Sequence, residues 1–106
     1  MISQLEKLLG TPRDGALLRY SLGLEYAKAG NHARAIEYLR EAVARDPKYS
    51  AAWKMLGKSL TETQQVEEAL AAYGKGIEAA KQKGDRQAEK EMTVFARRLE
   101  KQLGKP

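Results

Sequence analysis

Proton transfer near neutral pH is the natural work of an imidazole, and the 106-residue sequence holds one, His32, with no cysteine anywhere. The missing thiols exclude disulfides, thiolate metal sites and cysteine nucleophiles. His32 follows Asn31, a residue type that caps helices, which places the ring in the first turn of a helix and predicts an exposed side chain. No second histidine or carboxylate stands at a spacing that assembles a metal site around it. Carboxylates are plentiful, but Glu37, Glu41, Glu67 and Glu68 lie among basic residues, where solvation and exposed ion pairs account for them. Gly74-x-Gly76 lacks the third glycine and the preceding strand of a phosphate-binding turn. The expectation is no enzyme, no metal and no cofactor, so any function lies in recognition by a surface.

Charge is the next candidate chemistry. The net charge of +5 divides unevenly: residues 1–80 carry 11 Lys/Arg against 10 Asp/Glu, and residues 81–106 carry 8 against 4. The basic excess is therefore C-terminal, where a solvated helix face explains it and binding to RNA or another anionic surface is the alternative. The opening run Met1-Ile2-Ser3-Gln4-Leu5-Glu6 has an acidic residue where a signal peptide would be apolar, and no apolar stretch approaches the length of a membrane span. A cytoplasmic protein without a membrane partner is expected.

The elements that must position such a surface are helices in a repeated pattern. Leu22-Gly23 and Leu56-Gly57 stand 34 residues apart, and the same offset pairs Tyr26 with Leu60, Ala35 with Ala69, Ile36 with Leu70, Leu39 with Tyr73 and Val43 with Ile77. Within each copy the apolar residues recur at helical spacing, with Gly30-Asn31 and Thr63-Gln64-Gln65 as breaks between two stripes. The spacing predicts helices over 3–9, 13–29, 32–45, 48–62, 66–82 and 86–103 and no strand. Ser3 with Glu6 suggests a capping box on the first, and Thr11-Pro12 suggests the start of the second. Gly84-Asp85 marks a stop and a cap before the last, whose stripe of Ala88, Met92, Phe95, Leu99 and Leu103 is expected to close the core while Lys90, Arg97, Arg98 and Lys101 face water.

Trp53-x-x-Leu56-Gly57-x-x-Leu60 followed by Ala69-x-x-x-Tyr73 resembles the tetratricopeptide repeat, as does Leu22-Gly23-x-x-Tyr26 followed by Ala35-x-x-x-Leu39 and Asp46-Pro47. The departures are Arg19 where the second copy has Trp53, Gly76 for Ala42 and Lys81 for Pro47. The resemblance implies an all-α fold, a short right-handed α-solenoid of helix-turn-helix hairpins. One domain is expected over 1–106, with an N-terminal half-repeat helix at 1–12, repeats at 13–47 and 48–82, and a capping helix at 85–103.

In that family the first helix of each repeat lines a concave groove that takes a peptide or a helix. Carried over, the groove residues are Leu17, Tyr20, Leu24 and Ala27, with Ala51, Lys54, Lys58 and Thr61. A clamp for a chaperone's terminal carboxylate is not expected, because the matching places hold Tyr20, Leu24, Met55, Asp85 and Glu89. The helix over 13–29 is apolar on more faces than one contact needs, and the N-terminal helix, a second copy of the chain or a ligand could each cover Leu17, Tyr20 and Leu24. The expectation is an adaptor for another protein or peptide, an amphipathic segment with acidic residues. RNA or anionic-surface binding through the C-terminal helix, or self-association, stands as the alternative.

Overall fold

The computed structural model describes residues 1–104. Its helices are α1 (Ile2–Glu6), α2 (Ala16–Lys28), α3 (His32–Arg45), α4 (Ser50–Glu62), α5 (Val66–Lys83) and α6 (Arg86–Gln102), with no strand among the described residues. Beyond α2, connections of two to four residues leave each helix no choice but to fold back on the one before it. α2 packs on α3 and α4 on α5, while α2 also touches α4 and α4 touches α6. Those three helices line one side of a body measuring 46 × 29 × 18 Å, whose thin axis suits two helix layers of about 10 Å each.

The duplication extends to the backbone of the turns. In the first hairpin the Asn31 N–H donates to the Tyr26 carbonyl at 2.9 Å, and in the second the Gln65 N–H donates to the Leu60 carbonyl at 2.8 Å. Both turns need a residue at positive φ, Gly30 at 80° and Gln64 at 60°. Glycine adopts this conformation freely, whereas an L side chain is strained there. The first hairpin is also better capped: the Asn31 side chain accepts from the Arg34 N–H at 3.2 Å, while Gln65 caps nothing. Asp85 caps α6 by accepting from Ala88 N–H, after Gly84 closes α5 at φ 73°.

Close helix contacts depend on missing side chains. A Cβ on Gly23 would sit 2.6 Å from Leu39 Cγ, and one on Gly57 would sit 2.5 Å from Tyr73 Cε1. One on Gly76 would strike Met92 Sδ and come within 2.8 Å of Trp53 Cβ, so α5 approaches both α4 and α6 there. Around these contacts Leu22, Leu39, Leu56, Leu60 and Met92 are fully buried. Gly74 faces open space, and nothing in the packing explains it.

The N-terminal region differs in three ways from the sequence reading. α1 ends at Glu6, not at residue 9, and Met1 rather than Ser3 stands at its N-cap without a side-chain bond. Glu6 is not part of a capping box, because its carboxylate accepts from the Tyr26 and Tyr38 hydroxyls at 2.9 Å each, and Arg34 lies 3.5 Å away. The Tyr26 hydroxyl first, then that of Tyr38, holds the Glu6 carboxyl below its ordinary range. A carboxylate with two strong donors prefers them to a backbone N–H that water can serve. Third, α2 begins at Ala16 rather than 13, because Thr11 donates to the Leu8 carbonyl and accepts from the Arg13 N–H, holding 11–14 in a turn. Ile2, Leu5, Leu8 and Leu9 pack on Leu18, Leu22 and Tyr38, so α1 and the turn after it cover the outer side of the first hairpin and leave Leu17 68% exposed.

Arg19 replaces Trp53 by similar means. The Trp53 indole N–H donates back to the Pro47 carbonyl at 2.8 Å, and Arg19 reaches back to Asp14 with two bonds of 3.0 and 2.8 Å while also pairing with Glu41. The Arg19 guanidinium, helped by the Gly10 N–H, lowers the Asp14 carboxyl to about 2. A carboxyl lowered on folding stabilises the fold above its unfolded range, and that contribution disappears as pH falls from about 4 to 2.

Two outcomes follow. Gly57→Leu and Gly23→Leu should each lower stability by about 1–3 kcal/mol through overpacking, read as a drop in melting temperature; unchanged melting for both would put the hairpin contacts elsewhere. Gln64→Gly should raise stability by about 0.5–1 kcal/mol by relieving the left-handed backbone, and a lower melting temperature would contradict the strain.

Candidate functional site

α2 and α4 leave an open cleft of about 470 Å³ between them, lined by Leu24, Ala27, Lys28, His32, Met55, Lys58, Ser59 and Glu62. Its walls are apolar because α2 needs only Leu18, Leu22 and Gly23 for burial and has apolar residues to spare on the opposite face. Its rim is charged. Lys28 has Glu25 at 3.5 Å, Lys58 Nζ lies 5.4 Å from the centre of the Phe95 ring without a carboxylate partner, and Glu62 makes no ion pair among the described residues.

Of the eight groove residues expected from the sequence, three meet here: Leu24, Ala27 and Lys58. Ala51 and Lys54 line a smaller recess of about 170 Å³ between α4 and α6, with Asp85, Gln87, Ala88 and Glu91. Tyr20 lies against Tyr49 with ring centres 4.9 Å apart, partly buried on the core. Leu17 is in neither recess. Thr61 turns its hydroxyl to the Gly57 carbonyl at 2.7 Å, the back-bond typical of threonine within a helix. Burial pushes the neighbouring Tyr73 phenol up, and the Thr61 hydroxyl offsets part of that.

Lys54 is not the free cation its helix position implied. Its ammonium lies 3.3 Å from Glu91, and its side chain is only 25% exposed, because α6 folds over the N-terminal half of α4. Lys54 and Lys58 share a helix face, yet α6 divides their roles: one pairs with its carboxylate and the other covers its phenyl ring.

The residues the sequence reading missed are polar and are among those that line the cleft. Ser59 is 1% exposed, and its hydroxyl has no hydrogen-bond partner among the described residues. His32 is not the exposed first-turn residue expected: it is partly buried, lines the cleft, and its Nδ1 is buried without a partner among the described residues. The two do not bond each other, so they are not arranged as a nucleophile and its base. The period gave no sign of either, since at the 34-residue offset Ser59 falls on the charged Glu25.

A stack of helix hairpins with an open apolar cleft on one side is a repeat module for protein–protein interaction. The comparisons with known proteins make the class specific. The family model described as tetratricopeptide repeat matches residues 20–85. A TPR repeat-containing protein of Pseudomonas aeruginosa is 48% identical over 101 residues, covering 95% of this chain and 96% of its own. A Bordetella parapertussis protein solved in solution is 40% identical with a TM-score of 0.81, over 96% of this chain and 89% of that one. The Sgt2 TPR domain of Aspergillus fumigatus has a TM-score of 0.83 at 28% identity, over 97% of this chain and 68% of that one. The chain belongs to the tetratricopeptide-repeat family. Among the described residues, no helix is long and apolar enough to cross a membrane.

The Lys54 pairing has a direct consequence. Lys54→Glu should set two carboxylates together and cost up to about 1 kcal/mol, with faster amide exchange in α6. Unchanged exchange would mean the pair does not hold α6.

Proposed function

We propose that this chain is an adaptor that holds an amphipathic segment of another protein in the cleft between α2 and α4. The observation that carries the reading is the combination of an open apolar wall, Leu24, Ala27 and Met55, with Lys28 and Lys58 at its rim. Such a surface suits leucine or aromatic anchors with acidic residues beside them, in the manner of a helix laid into a groove. The Tyr20–Tyr49 pair and the recess beside Ala51 and Lys54 would extend the contact toward α6.

A heat-shock cognate co-chaperone of Aspergillus fumigatus, sgt12, is 35% identical over 75 residues, which are 71% of this chain and 22% of that protein. A chaperone's terminal carboxylate is nevertheless not the ligand this cleft suits. Among the matching places Leu24 and Met55 offer hydrocarbon, Tyr20 lies against Tyr49, and Asp85 is occupied in capping α6.

Kinetics with a partner recovered by affinity capture test the reading. Leu24→Asp and Met55→Ala should each weaken binding about tenfold or more, mainly through faster dissociation. Arg97→Glu with Arg98→Glu on α6 should leave affinity within about twofold. The reverse pattern, with steep salt dependence, would move the binding surface to the C-terminal cations and favour an anionic ligand.

A further inference from the structure

We infer that the outward face of α6 is a second binding surface, separate from the cleft, for the phosphate backbone of a nucleic-acid duplex, without sequence preference. Arg86, Lys90, Arg97, Arg98 and Lys101 are all exposed. On the helical wheel they fall within an arc of about 120°, spread over about 22 Å of the helix axis. No acid shares that arc. Glu91, at its margin, is held by Lys54, while Glu89 and Glu100 lie on other sides of the helix and are partly buried. None of the five cations takes part in an ion pair among the described residues.

The other helices show what a merely solvated face looks like. On α3, Arg34 stands 2.9 Å from Glu37 and Arg40 lies 2.6 Å from Glu68, and the exposed positions of α5 mix Glu67, Lys75, Glu78 and Lys81. On α6 the pattern works against the helix instead. Arg86 with Lys90, and Arg97 with Lys101, are like charges four residues apart, and Arg86 stands in the first turn, where the helix dipole disfavours a cation. The face weakens α6, and no acid inside the described chain uses it.

The make-up of the ridge selects among anions. Five cations over that length exceed what one small anion can touch and match a row of phosphates. A bilayer needs apolar side chains that enter it, and an acidic peptide needs apolar anchors beside its charges; the arc offers only Val94, 46% exposed. A single strand needs aromatic faces for its bases, and the one ring of α6, Phe95, lies against Tyr73 with Lys58 and Arg98 beside it. In a duplex the bases already stack on one another and the phosphates face outward, so cations alone suffice. Three of the five are arginines, whose planar guanidinium pairs with phosphate through two bonds.

Fluorescence anisotropy of a labelled duplex of arbitrary sequence, two helical turns long, titrated with the whole chain, supplies the test. Binding should saturate at about 50 mM salt, and the logarithm of affinity should fall against that of salt concentration with a slope of about −4. Arg97→Gln with Lys101→Gln should melt no lower than the native chain, weaken binding about tenfold or more and make the slope shallower by about two. Lys48→Gln with Lys75→Gln removes the same charge outside α6 and should stay within about twofold, as should Met55→Ala in the cleft. Duplex DNA and duplex RNA present the same backbone chemistry, and the tighter of the two identifies the source. Equal losses for the two double variants would reduce the effect to net charge and overturn the site. So would the lack of saturable duplex binding, tighter binding of a single strand of the same length, or retention by phosphatidylserine vesicles but not by duplex.

Discussion

Close approach of helices at three glycines sets the geometry on which everything else depends. Gly23 admits Leu39, Gly57 admits the Tyr73 ring, and Gly76 admits Met92 and Trp53, so each hairpin closes where a side chain is missing. Because the large residue always comes from the facing helix, the contacts fix register as well as distance. With α2 held on α3 and α4 held on α5, the surfaces of α2 and α4 that remain free face each other. The cleft is what two closed hairpins leave between them.

The sequence made this frame legible because it is written twice. A 34-residue offset repeats small residues and their large partners, and the hairpins and their turns followed from it, while α6 was legible from the Gly84-Asp85 stop and cap and from its own apolar stripe. The N-terminal region was less legible because its contacts have no second copy. Ser3 and Glu6 have the spacing of a capping box, but Tyr26 and Tyr38, distant in sequence, offer Glu6 better donors. Thr11-Pro12 has the composition of a helix start, yet Thr11 bonds backward to Leu8 and delays α2 to Ala16.

The candidate site was legible only in part, for a related reason. Position within a repeat tells which side of a helix a residue occupies and says nothing of what lies across from it. Leu24, Ala27 and Lys58 reached the cleft as expected, while Lys54 on the same face met Glu91 because α6 crosses there. His32 and Ser59 carried no periodic signal, and only the folded chain brings them to one cleft, with His32 Nδ1 and Ser59 Oγ buried without a partner among the described residues. Local rules of capping and helix propensity explain why they are tolerated in sequence, and burial makes them chemically notable.

Binding between α2 and α4 is the central claim, and methyl NMR of the complex with a captured partner addresses it most directly. Intermolecular contacts from the Met55 methyl and the methyls of Leu24 and Ala27, with Val94 and Leu103 on the exposed side of α6 and beyond it unaffected, are the predicted result. Contacts confined to the Arg97 and Arg98 face of α6, with the Met55 and Leu24 signals unmoved, would contradict it.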